Sequence, residues 1–313
     1  MTPRFDFPFA QASRRRAYRR HVIAACAVAF GLGGLALAPA DFAAAQQATD
    51  SAATGSNDSG GGGFDFNSSS KPIEITADNG IEWDKNQKAY TARGNALAVQ
   101  GDQSIAGSVL NAYYSVDSNK IDRMTAEGNV VVKNSTETAY GDHADYDAGK
   151  KLLVLTGKNL KSVTDKGDTV TARDAMEYWK DRDAVVAKGA VFIDRGDTKI
   201  HADTATGYFH RDSAGKKVMY QIEAVGRVRT DTSKQTAWSD KMVYNLETKV
   251  AVLTGHVRIN QDNNVFTGDK AEINTQTNIS RLLADKSKGG SGRVKTVIGP
   301  KNKTDSNGST TQP

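Results

Sequence analysis

Six glycines, Gly94, Gly128, Gly157, Gly189, Gly226 and Gly255, each sit in the middle of a short run built on one plan, at spacings of 34, 29, 32, 37 and 29 residues. The last run, Val250 to Asn260, reads VAVLTGHVRIN. A period of this length marks a repeat architecture, in which each unit buries its apolar side only against its neighbours. Such a chain stacks rather than closing around one centre.

Two and four residues before each glycine the positions are apolar or aromatic: Ala92 and Tyr90, Ala126 and Met124, Leu155 and Leu153, Ala187 and Val185, Ala224 and Ile222, Leu253 and Ala251. The intervening positions, among them Arg93, Glu127, Lys188 and Thr254, are largely polar. Stepping forward in twos keeps the parity, with Ala96 and Ala98, Val130 and Val132, Val191 and Ile193, Val228, and Val257 and Ile259. The third copy breaks the pattern with Asn159 and Lys161. Side chains alternate across a strand, so each run is a strand with one apolar face, and its glycine marks a bulge or bend. A recurring aspartate precedes the glycines, at Asp78, Asp142, Asp174, Asp203, Asp240 and Asp269, and an aromatic follows most of these: Trp83, Tyr146, Tyr178, Tyr208 and Tyr244; Tyr113 stands alone in a unit lacking the acid. Turn clusters from Asp84 to Gln87, Asp117 to Lys120, Asp147 to Lys150 and Asn245 to Thr248 separate the strands. The reading is an all-β fold of stacked strands.

The ends are different. Five arginines between Arg14 and Arg20 precede an apolar run from Val22 to Ala38, and Ala43-Ala44-Ala45 offers a small-residue cleavage site, as in a bacterial secretory signal peptide over 1–45. A retained membrane anchor is the rival reading, since the apolar run is just long enough to cross a bilayer. A lipoprotein reading at Cys26 is weaker, because the thiol lies inside the apolar run rather than at its end. Residues 46–70 are Gly/Ser-rich, including Gly60 to Gly63, and read as a flexible linker; 301–313 read as a polar tail.

Most of the net charge of +5 belongs to the presequence. Residues 1–45 carry six of the 41 basic residues and two of the 36 acids, which leaves 35 against 34. A nucleic-acid partner, which needs a basic footprint, loses its support. Cys26 is the only cysteine, so residues 46–313 must hold together without a disulfide. His143, His201, His210 and His256 fall in different units without metal-ligand spacing, and the aspartates are too sparse for a calcium-binding β-roll. They read as corner carboxylates accepting backbone hydrogen bonds, and the aromatics as strand-packing residues. No catalytic residue, metal or cofactor is expected, and the chain does not read as an enzyme.

Lys71-Pro72-Ile73-Glu74-Ile75-Thr76-Ala77-Asp78, Val252-Leu253-Thr254-Gly255-His256-Val257, Phe266-Thr267-Gly268-Asp269-Lys270 and Gly292-Arg293-Val294-Lys295-Thr296-Val297-Ile298 occur in an order that resembles the LptA/OstA family of periplasmic lipopolysaccharide-transport bridge proteins. The resemblance covers about 71–300 and implies an elongated, twisted β-jellyroll of V-shaped section, made of stacked antiparallel strands. It also implies a periplasmic location and an apolar trough for the acyl chains of lipopolysaccharide. Its implied partners are an inner-membrane LptC-like jellyroll, an outer-membrane LptD-like translocon, and further copies joined head to tail. The lipid-lining residues are then Ile73, Ile75, Met124, Val130, Val132, Leu153, Leu155, Val185, Val191, Ile193, Ile200, Ile222, Val228, Leu253, Val257 and Ile259. Edge-strand docking falls to Ile73 and Ile75 at the receiving end and to Val294, Thr296, Val297 and Ile298 at the far end. The chain has more glycine-centred units than shorter family members. Two alternatives stand beside this reading: an anchored LptC-like component, and an exported structural or adhesive β-solenoid filled by its own side chains.

Overall fold

Alternating apolar and polar residues between Asx-type turns form antiparallel strands throughout the computed structural model, which describes residues 64, 66, 71–116, 120–284 and 293–300, all within one unit, 56–313. The expected signal peptide, the polar tail, the linker apart from Phe64 and Phe66, and the turn at Asp117 lie outside the described residues.

Each rung of the stack has two arms that meet at a corner. β1 (Glu74–Thr76) and β2 (Ile81–Asp84) pair with the two halves of β3 (Ala89–Gln100). β4 (Gln103–Tyr114), β5 (Ile121–Lys133) and β6 (Glu137–Asp147) then follow as unbroken rungs, each paired with the one before. In mid-chain two rungs are broken at the corner. β7 (Leu152–Thr156) and β8 (Leu160–Thr164) both pair with β6, while β9 (Thr169–Ala172) and β10 (Ala175–Trp179) both pair with β11 (Ala184–Arg195). Unbroken rungs resume through β12 (Thr198–Arg211), β13 (Lys217–Asp231), β14 (Gln235–Asn245), β15 (Val250–Gln261) and β16 (Asn264–Asn274). β17 (Ile279–Leu283) and β18 (Lys295–Ile298) close the stack on the two halves of β16.

The corners explain the glycines. At Gly255 φ is +77°, the next residue, His256, also has positive φ, and the pairing with β14 skips between Trp238 and Lys241. Two successive left-handed residues turn the strand without reversing its faces, so Leu253 and Val257 both point inward. A Cβ on Gly255 would collide with the Asp240 carboxylate, and one on Gly189 with that of Asp174. The repeated aspartates are therefore corner pieces. Asp142 accepts the Lys158 amide at 2.8 Å, Asp78 accepts the Asn95 amide group at 2.6 Å, and Asp203 is clasped by Arg227.

The third copy departs from the others for a visible reason. Gly157 has φ of +141° and the rung is interrupted there, which slips the second arm by one residue. Leu160 and Ser162 turn inward, whereas Asn159 and Lys161 face out. Strand turns close on Asx side chains as the sequence suggests: Asp84 accepts the amides of Asn86 and Gln87, and Asn245 those of Glu247 and Thr248.

Candidate functional site

The inward faces of the two arms form one hydrophobic interior running the length of the stack. Of the positions expected to line it, Met124, Val130, Val132, Leu153, Leu155, Val191, Ile193, Ile200, Ile222, Val228, Leu253, Val257 and Ile259 are buried there, and Ile73, Ile75 and Val185 are partly buried against it. Cross-strand register sets some of them in rows. Met124, Tyr146, Leu153, Tyr178 and Val185 stand side by side on β5, β6, β7, β10 and β11.

The recurring aromatics divide. Tyr146 and Tyr178 are fully buried in that row and act as packing residues. Trp83 does not: it is 54% exposed, stacks on Tyr90 at 5.9 Å, and donates its indole N–H to the Tyr114 hydroxyl at 2.9 Å. Trp83 sits on the first rung, which among the described strands has a neighbour on one side only, and its face is exposed.

Among the described residues, cavities open from the interior at two places. One of about 160 Å³ lies between Ile200, Ala237, Met242, Ala251, Leu253 and Ile273, with Thr198, Thr230 and Thr275 also lining it. The other, of about 260 Å³, adjoins the broken rungs and is lined by Glu137, Ser162, Met176, Tyr178, Val185, Phe209 and Lys217, among others. At its wall the Tyr178 hydroxyl donates to Glu137 Oε1 at 2.9 Å, and the Ser162 hydroxyl donates to the same oxygen. Removal from water pushes the Glu137 carboxyl above its ordinary range, against the two hydrogen bonds, which pull the other way. Tyr178 is pushed up by the same burial and by the neighbouring carboxylate, so its hydroxyl keeps its proton and serves as a donor.

Sequence reasoning missed two lining residues altogether. Phe64 and Phe66, in the Gly/Ser-rich stretch, are buried in the interior. Two aromatics one residue apart inside a polar stretch were the available signal, since apolar side chains that large are rarely left in water.

The terminal rungs differ from each other. At the far end Val294, Thr296, Val297 and Ile298 are exposed, Ile298 at 79%, and β18 pairs only with β16 among the described strands. At the near end β1 pairs, among the described strands, only with β3, but Ile73 and Ile75 turn toward the core, so what that edge offers is backbone and the flanking Ile81 and Trp83. The histidines sit on the outer face, His256 against Asp240 at 2.7 Å and His210 against Glu247 at 2.6 Å. No cluster of three or more His, Cys, Asp or Glu among the described residues is placed to hold a metal ion.

The family described as LptA/(LptD N-terminal domain) LPS transport protein matches this chain twice, over residues 74–182 and 170–279. The two matches overlap at β9 and β10, where the rungs are broken. Among solved structures the chain is similar to LptH, the LptA homologous periplasmic component of the conserved lipopolysaccharide transport device from Pseudomonas aeruginosa, with 22% identity over 43% of this chain and 96% of that one, at a TM-score of 0.38. No curated protein matches.

Proposed function

We propose that this chain, which belongs to the LptA/LptD N-terminal-domain family of lipopolysaccharide transport proteins, is a periplasmic bridge that carries lipopolysaccharide by its acyl chains from an inner-membrane transporter complex to an outer-membrane assembly complex. The observation that carries the reading is the continuous aliphatic interior, opening into a cavity between Ile200 and Leu253. Transfer of hydrocarbon from water releases about 0.8 kcal/mol per methylene, so several acyl chains supply ample driving force to enter such a space. The reading assigns the chain no chemical step.

Partners in this reading dock by strand addition. β1 and β18 each leave one side of their backbone unpaired among the described strands, and unpaired N–H and C=O groups are templates for another strand. An LptC-like jellyroll would meet the rung at Ile73 and Ile75, and an LptD-like domain or a further copy would meet the one from Val294 to Ile298. A filled interior is what a purely structural solenoid would have, and the cavities at the broken rungs and between Ile200 and Leu253 favour the carrier.

A pair of adjacent substitutions tests the reading. Val257 is buried and His256 is exposed. Val257→Asp puts a carboxylate against bound hydrocarbon and should cut binding of a fluorescent fatty acid at least about tenfold, while His256→Asp should leave it unchanged. Equal binding by the two folded variants would sink the proposal that this face carries lipid.

A further inference from the structure

Phe64 and Phe66 belong to no strand, yet they are 1% and 0% exposed. The Phe64 ring meets Tyr178 edge-on, with centroids 5.0 Å apart and planes at 82°; Phe66 meets Tyr146 at 5.5 Å and 73°. These tyrosines stand on β10 and β6, on either side of Leu153 of β7, in a single row. Neighbouring strands are about 4.8 Å apart, so the tyrosines are separated by about 10 Å, and two residues of extended chain span about 7 Å. The pair therefore crosses the rungs, along the direction of stacking, rather than adding to the ladder. A hydrocarbon chain passing from one unit to the next has to take the same course.

We propose that this row is a hydrocarbon-binding subsite which the free protein fills with its own Phe64 and Phe66, and that an acyl chain entering the first half displaces both rings. The inference rests on the carrier reading above. Edge-on contact with Tyr146 and Tyr178 is available to any apolar group, and the Tyr178 hydroxyl is already engaged by Glu137, so displacement breaks no hydrogen bond of that ring. Small inward residues nearby, Ala126 and Ala144, leave room for a guest. Because the guest is tethered, it competes at an effective concentration on the order of millimolar. A ligand must bury more hydrocarbon than two phenyl rings to win, which sets a minimum chain length for this row and none for the cavity between Ile200 and Leu253.

The test uses the full-length protein and cis-parinaric acid as the acyl probe. The Phe64→Ala/Phe66→Ala variant should bind about tenfold more tightly than wild type, as when an occupant that leaves only a tenth of sites open is removed, or should take up an added equivalent of probe. Identical affinity and stoichiometry, or weaker binding by the folded variant, would overturn the proposal. A second measurement covers a variant that does not fold: in a Cys26→Ser background, the thiol of Phe66→Cys should be protected from Ellman's reagent in the free protein and react when the probe saturates. Continued protection at saturation would overturn the proposal while leaving the carrier reading intact. If wild type and every folded variant fail to bind probe, the carrier reading falls and this inference with it.

Discussion

The two halves of the stack, β1 to β10 and β11 to β18, follow the same repeat, and each is matched by the same family, yet they are filled differently. In the first half the interior is filled away from the broken rungs: Ala98, Ile105, Leu110, Met124 and Leu153 have no exposed surface, Tyr146, Tyr178, Phe64 and Phe66 occupy the space between the arms, and the cavity lies at the broken rungs, beside Glu137 and Ser162. In the second half the inward positions include Ala202, Ala205, Ala237 and Ala251, no second pair of rings enters among the described residues, and Ala251 and Ile273 remain 8% and 7% exposed beside a cavity. The contrast teaches that a repeat fixes which face is inside without fixing how full the inside is. Alternation is satisfied equally well by alanine and by tyrosine. The volume between the arms is set by the sum of residues from several rungs.

The strongest way to break the comparison is to place the same charge in both halves. Leu155→Asp, at a fully buried position away from both cavities, should cost about 4 kcal/mol, because its carboxylate finds neither water nor a partner. Leu253→Asp lines the open cavity and should cost about 2 kcal/mol, since water can reach it. Urea unfolding of the two variants measures the difference, and equal losses would mean that the filling has no energetic consequence.

At the corners the halves should instead behave alike. Gly128→Ala in the first and Gly255→Ala in the second each force an alanine to φ near +75° and against a corner side chain, Ser108 or Asp240. Each should cost about 2 kcal/mol. A large disparity in denaturant midpoint would show that the corners are not equivalent.

The smallest effect concerns Glu137, which opens β6 where Gln235 opens β14. Its carboxyl holds a proton more tightly in the folded than in the unfolded chain, chiefly because of burial. Its contribution to stability is therefore greatest below its unfolded value and is lost as the pH rises through the raised folded value. Glu137→Gln makes the first half resemble the second. It should flatten the pH dependence of Tm from about pH 4 upward, with a change at neutral pH of about 1 kcal/mol or less. An unchanged pH profile would show that another group governs that range.

Much of this was legible because it is local. The inward placement of Val257 and Ile259 and the outward placement of His256 follow from counting in twos from Gly255. The corner role of Asp240 and Asp142 follows from turn chemistry at their spacing from each glycine. Leu160 and Ser162 escaped the count because a broken rung slips by one residue, and a one-residue slip exchanges the faces of every following side chain. Trp83 escaped it because, among the described strands, its terminal rung has no neighbour on the far side to cover the aromatic. Sequence by itself thus determined the strands, their faces and their corners, since each depends on residues a few positions apart and on backbone conformations that glycine adopts without strain. Only the tertiary structure decided that Phe64 and Phe66 lie against Tyr178 and Tyr146, that Glu137 meets Ser162 and Tyr178, and that cavities open at the broken rungs and between Ile200 and Leu253. Those outcomes depend on which distant residues are brought face to face across the interior, and nothing in the local alternation of a strand encodes its opposite number.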